Sequence, residues 1–224
     1  MRNMTSSAGK AALRDALYDT AKHLADVGLN RGTTGNVSVR IATGEDSFLI
    51  TPSGFDPYEM TAESLVQMGV SGDVTGAGRP STEWRMHRDI LMMRPEINAV
   101  VHTHSPFAST LSCLNLDIPA FHYMIAVAGG VSVRCAPYAL FGSRELSENA
   151  LQALEGRYAC LLSHHGLIAI GADLKQAAAI ALEVESLCEQ YWRVLQIGAP
   201  VLLSDEQMSE VLEKFKTYGH RSKD

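Results

Sequence analysis

The sequence predicts an α/β protein: one domain over residues 1–224, three layers thick, with a mostly antiparallel central sheet flanked by helices. Two observations carry this. Long stretches with apolar residues every three or four positions are interspersed with short apolar or alternating runs of strand length. Those short runs follow one another across turns more often than they form regular strand–helix–strand units, so hairpins dominate the sheet.

Leu13, Leu17, Ala21 and Leu24 recur at helical spacing, and Gly28 stops that first helix. Val37, Val39 and Ile41 alternate with polar residues, which predicts a half-buried strand. Phe48-Leu49-Ile50 pairs with it across a turn at Thr43-Gly44-Glu45-Asp46. Val66, Met68 and Val70 make a further strand, and the glycine-rich stretch from Ser71 to Gly78 reads as a turn or flexible loop. Ser81 caps a helix that carries Trp84, Met86, Ile90, Leu91 and Met93 before Pro95. Asn98 to His102 is strand, Phe107 to Leu114 helix, Val131 to Cys135 strand, and Ser143 to Leu154 helix-like, its start a loose match to a capping box. Tyr158 to Ser163 and Leu167 to Ile170 are two short strands. Leu174 to Ile197 is a long helix, and a last one starts at Ser204-Asp205-Glu206 with Val211, Leu212 and Phe215 on one side.

The bulk composition narrows the function. The 224 residues are 46% hydrophobic, enough for a core. The net charge is -6 with the basic residues scattered, which argues against nucleic acid as a partner. No apolar run reaches the roughly 18 residues of a membrane span, and the polar start, Met1 to Lys10, resembles no signal peptide. Cys113, Cys135, Cys160 and Cys188 are widely spaced in apolar contexts. They read as reduced thiols of a cytoplasmic protein, so a metal site would be built from histidine.

The chemistry concentrates in Val100-Val101-His102-Thr103-His104. At the end of a strand, residues two apart share a face, so His102 and His104 converge on one point. His164-His165-Gly166 can supply a third imidazole; in an extended chain these two histidines point to opposite sides, and spacing does not choose between them. Three neutral ligands and an open position describe a catalytic zinc. Glu83, at the start of the Trp84 helix, is a candidate fourth ligand or general base. Thr33-Thr34-Gly35-Asn36, Thr51-Pro52-Ser53-Gly54 and Pro80-Ser81-Thr82 are small, hydroxyl-rich segments suited to phosphate, the last at a helix N-terminus.

Eight blocks, in order along nearly the whole chain, resemble the class II aldolase/adducin family, and most closely its aldolase branch: Gly28–Arg40, Ile50–Gly54, Pro80–Arg85, Ala99–His104, Ile118–Ile125, Cys135–Gly142, His164–Ile168 and Glu213–Gly219. The resemblance implies that His102, His104 and His165 hold Zn2+, with Mn2+ or Co2+ as substitutes. Glu83 would bind the resting metal and then act as acid and base. Gly35, Asn36, Ser53, Gly54, Ser81 and Thr82 would surround a sugar phosphate. Tyr123 and Tyr218 would act near the aldehyde oxygen, and Phe141 and Phe215 would flank its apolar tail. It further implies a homotetramer with active sites at subunit interfaces. Thr82 stands where these aldolases commonly have Ser, and Ser53 where Thr is common; both keep the hydroxyl.

The implied reaction cleaves a ketose 1-phosphate, L-fuculose 1-phosphate or a 5-deoxy or 5-methylthio pentulose 1-phosphate, to dihydroxyacetone phosphate and an aldehyde. Two other enzymes share the fold: a pentulose-5-phosphate 4-epimerase, whose counterpart of Glu83 is typically aspartate, and a methylthioribulose-1-phosphate dehydratase. The family's non-catalytic adducin-like modules lack the metal histidines.

Overall fold

The computed structural model describes residues 7–41 and 46–216. The chain runs α1 (Ser7–Asp26), β1 (Asn36–Arg40), β2 (Ser47–Ile50), β3 (Val66–Gly69), β4 (Val74–Thr75), α2 (Trp84–Met93), β5 (Ala99–Thr103) and α3 (Pro106–Ser112). It continues with β6 (Arg134–Ala136), α4 (Arg144–Ala153), β7 (Ala159–Leu162), β8 (Gly166–Gly171), α5 (Leu174–Ile197) and α6 (Asp205–Phe215). The eight strands form one sheet in the order β4-β3-β2-β1-β5-β8-β7-β6, antiparallel everywhere except between β6 and β7.

Helices cover both faces. Leu17 and Leu24 of α1 and Ala177, Val184 and Leu187 of α5 pack with Val37, Val39 and Val101 on one face. Met86 and Ile90 of α2 and Leu146 and Ala150 of α4 pack with Val100, Ile168 and Ile170 on the other. This double cover corrects the expectation of a half-buried β1. Ser38, a polar residue at an alternating position, is fully buried because α2 lies over the face to which it points. Among the described residues no helix is long and apolar enough to cross a membrane.

Several local expectations shift. The Val37–Ile41 strand does pair with Phe48–Ile50, but Thr43, Gly44 and Glu45 of the turn between them lie outside the described residues. The glycine-rich stretch is not all loop: Val74–Thr75 adds a short edge strand to β3. Ser81 is not the cap of α2. Glu83 holds that position, and the Ser81 hydroxyl accepts the Glu83 backbone N–H at 3.2 Å while its carbonyl accepts that of Trp84 at 3.1 Å. A tight turn at Ser81–Thr82 thus delivers Glu83, not Ser81, to the helix start. The strand expected from Val131 narrows to Arg134–Ala136, because Val133 pairs instead with Ile118. A 3-10 helix at Tyr123–Ala128 had no predicted counterpart; it ends on Gly129 at φ 87°, a left-handed conformation suited to glycine.

Candidate metal centre

Four side chains from three places in the fold meet at one point. His102 is in β5 and His104 just beyond its end, so the two-residue period puts both imidazoles on one face. The link from β7 to β8 supplies His165. There the chain turns sharply, with the His165 N–H donating to the Leu162 carbonyl at 3.0 Å and His164 at φ 54°. The turn, rather than strand alternation, separates the neighbouring histidines: His165 joins the cluster, and His164 stands against the Tyr138 ring at 6.2 Å. Gly166 makes the approach possible, since a Cβ there would sit 2.3 Å from the Thr103 carbonyl oxygen. Glu83 arrives from the start of α2 and is 6% exposed.

The three imidazoles are mutually edge-to-face, with centroids 4.8 to 4.9 Å apart. His102 Nε2 lies 3.0 Å from His104 Nε2 and 3.2 Å from Glu83 Oε2, and His165 Nε2 lies 3.3 Å from Glu83 Oε1. One donor atom from each of the four residues falls within 4.8 Å of the others. Ligands about 2.0–2.1 Å from a tetrahedral zinc stand about 3.3 Å from one another, so the spacing fits a metal ion of that kind. The donor chemistry fits too. His102 Nδ1 faces the Leu167 carbonyl at 3.0 Å, which leaves Nε2 for the cluster. Glu83 Oε1 is buried and accepts no hydrogen bond.

The electrostatics agree. Burial opposes the charge on Glu83, but His102, His165 and the Asn36 amide outweigh it and hold the carboxyl far below the usual range. Burial, and then the His102 charge, push His104 and His165 down to about 4, so both are neutral at ordinary pH, the form that can bind a metal. Burial also opposes charge on His102, but Glu83 and the Leu167 carbonyl more than compensate and raise it. A metal ion at this point would compete with a proton for His102.

The cluster faces a hollow of about 440 Å³. Gly35, Asn36, Ser53, Gly54, Ser81, Thr82, Glu83, His104, His165 and Phe141 of the predicted site all line it, and His102 sits buried just behind. Thr33, Thr34, Tyr138 and His164 line it as well, and among the described residues no Lys or Arg does. The Ser53 and Ser81 N–H groups already donate to the Arg79 and Thr51 carbonyls. An anion would therefore be met by their hydroxyls and by the positive start of α2. A larger hollow, about 690 Å³, lies between α1 and the start of α5 and is lined by none of the four residues of the cluster.

Tyr123 and Phe215 are elsewhere. They line a separate hollow of about 280 Å³ with Met124, Val211 and Lys214. Tyr218 lies outside the described residues. Sequence reasoning missed Tyr138 and the buried His87, which contacts Asn36. The one signal for His87 was its place four residues after Glu83.

The family described as Class II Aldolase and Adducin N-terminal domain matches residues 15–192. A 5-methylthioribulose-1-phosphate/5-deoxyribulose-1-phosphate aldolase of Rhodospirillum rubrum is 53% identical over 210 residues, covering 94% of each chain. An L-fuculose phosphate aldolase of Escherichia coli is 51% identical over 207 residues, 92% of this chain and 94% of the relative. A solved L-fuculose 1-phosphate aldolase superposes with a TM-score of 0.89 at 40% identity, covering 96% of this chain and all of that one (100%).

Proposed function

This chain belongs to the class II aldolase/adducin family, and on that footing we propose that it is a zinc-dependent aldolase of ketose 1-phosphates. The substrates are L-fuculose 1-phosphate or 5-deoxy- or 5-methylthioribulose 1-phosphate, as named for its relatives. The products are dihydroxyacetone phosphate and an aldehyde. One observation carries the reading: Glu83, His102, His104 and His165 form a compact candidate ligand set at the edge of a hydroxyl-lined hollow to which, among the described residues, no Lys or Arg contributes.

Breaking the bond between C3 and C4 leaves negative charge on the ketone fragment. A divalent ion held by the three imidazoles supplies, when bound, a Lewis acid that stabilises such charge; Zn2+ suits the all-nitrogen set, and Mn2+ or Co2+ are substitutes. Glu83 is the acid and base. Its buried Oε1 accepts no hydrogen bond and is open to the proton that leaves the C4 hydroxyl by way of the tyrosines, which it can deliver to C3 of the departing fragment. Gly35, Asn36, Ser53, Gly54, Ser81 and Thr82 orient the phosphate end. Phe141, 61% exposed at the rim, offers an apolar wall to the aldehyde.

Tyr123 and Tyr218 are assigned the proton on the C4 oxygen, and Phe215 a share of the aldehyde wall. Tyr123 and Phe215 line a different hollow from the metal cluster. That separation supports a site completed by a second copy of the chain, in a homotetramer. The cysteines are all free, which supports a reducing cytoplasmic setting. The test is a cleavage assay on these 1-phosphates with dihydroxyacetone phosphate as readout, run with zinc and with a chelator. Zinc-dependent release supports the reading; conversion to an epimer or a dehydrated product without that release overturns it.

A further inference from the structure

A buried chain of hydrogen bonds runs from Glu83 away from the hollow. Asn36 Nδ2 donates to Glu83 Oε2 at 2.9 Å. The other end of that amide, Oδ1, meets His87 Nε2 at 2.5 Å, and His87 Nδ1 meets Ser38 Oγ at 2.7 Å. All four residues are buried, Ser38 and His87 completely. Two backbone periods build the chain. Asn36 and Ser38 are two apart on β1 and share the face under α2. Glu83 and His87 are four apart along α2 and share the face over β1. His87 is not among the residues lining the hollow, so any effect on the reaction passes through Asn36.

The proton positions follow from what each group can do. An ionised carboxylate only accepts, so the Asn36 amide must turn its NH2 toward Glu83. Its oxygen then faces His87, and Nε2 must carry the hydrogen that bridges them. Nδ1 is left with a lone pair and takes the Ser38 hydroxyl proton. For a neutral ring this is the one arrangement in which every contact is satisfied. A flipped amide would set an oxygen against the carboxylate and an NH2 against the Nε2–H, losing both bonds among buried groups.

We propose that His87 is a positioning residue for the reaction: as the Nε2–H tautomer it locks the Asn36 amide, which holds Glu83 by Oε2 and leaves Oε1 facing the metal ligands. Ser38 selects the tautomer. This rests on the reading of Glu83 as the acid and base.

Two measurements test it. Long-range 1H–15N spectra of the histidine-labelled chain, metal-free and zinc-loaded, should show His87 protonated at Nε2 and bare at Nδ1 from about pH 5.5 to about pH 8.5. An Nδ1–H tautomer, or titration within that range, overturns the proposal without any variant. The second compares His87→Leu, His87→Asn and His87→Gln. Glutamine can place an N–H near the position of Nε2; leucine and the shorter asparagine cannot. His87→Leu and His87→Asn should lower kcat about 10- to 100-fold, with KM for the sugar phosphate changed less than about threefold, and His87→Gln should recover most of the loss. Equal losses in all three, or a loss confined to KM, overturn it. If His87→Leu does not fold, the tautomer spectra and the Gln-against-Asn comparison decide. A normal kcat in His87→Leu beside an inactive Glu83→Gln sinks this proposal alone, whereas a normal Glu83→Gln sinks the assignment of Glu83.

Discussion

His102 and His104 present their Nε2 atoms 3.0 Å apart, with Glu83 Oε2 3.2 Å from the first. Two bare imidazole nitrogens that close repel unless a proton or a cation lies between them. His104→Ala should therefore lose bound metal, and His165→Ala likewise, while His164→Ala should keep it. Elemental analysis after dialysis reads the difference. A His104→Ala protein with stoichiometric zinc would refute the ligand set.

Glu83 is proposed both as a ligand and as the proton carrier, and the two roles separate by substitution. Glu83→Gln keeps the shape and an oxygen but cannot carry the proton. Turnover should fall at least about 100-fold, since general acid–base catalysis contributes about that much or more. Metal content should stay near that of the parent, because three imidazoles remain. Turnover within a few-fold of the parent would remove Glu83 from the mechanism.

The pair His102 and His104 was legible because strand periodicity places residues two apart on one face, and β5 is a strand. The choice of His165 over His164 was not legible from periodicity, because both sit in a turn whose left-handed residue breaks the alternation. Resemblance supplied that choice, and the geometry of the turn explains it. Ser38 and His87 were invisible for a different reason. A polar residue at an alternating strand position reads as solvent-facing, and only the cover of α2 over that face buries it. The distance of Tyr123 and Phe215 from the cluster depends on how the chain folds back on itself, which local pattern does not encode.

Glu185 of α5 reaches the start of α3, accepting from Ser105 Oγ at 2.7 Å and from the Phe107 and Ala108 N–H groups at 2.8 Å each. This carboxylate caps the helix that follows His104. Glu185→Ala should lower unfolding free energy by about 3 kcal/mol, the scale of a lost cap plus charged hydrogen bonds. Urea unfolding of the metal-free chain measures it, and a loss below about 0.5 kcal/mol would show the cap to be dispensable.

Burial pushes His87 down to about 3, with the His102 charge acting in the same direction. Its folded value lies below the unfolded value of about 6.5, so the unfolded chain binds the extra proton between them. This group's contribution is therefore complete above about pH 6.5 and is lost as the pH falls toward 3. Between pH 6.5 and pH 4.5 the loss is about 2 to 3 kcal/mol. Metal-free His87→Gln should accordingly lose less stability on acidification than the parent, whatever its stability at neutral pH. Equal losses would mean that His87 is not held neutral.

The central claim is a metal-dependent carbon–carbon cleavage at the Glu83, His102, His104 and His165 cluster. The most direct measurement is dihydroxyacetone phosphate release from 5-deoxyribulose, 5-methylthioribulose and L-fuculose 1-phosphates by the purified protein, before chelation, after it, and after zinc is restored. The account predicts release from at least one of them, loss on chelation, and recovery with about one zinc per chain. Release that survives complete removal of metal, or no release from any of the three by zinc-loaded protein, would contradict it.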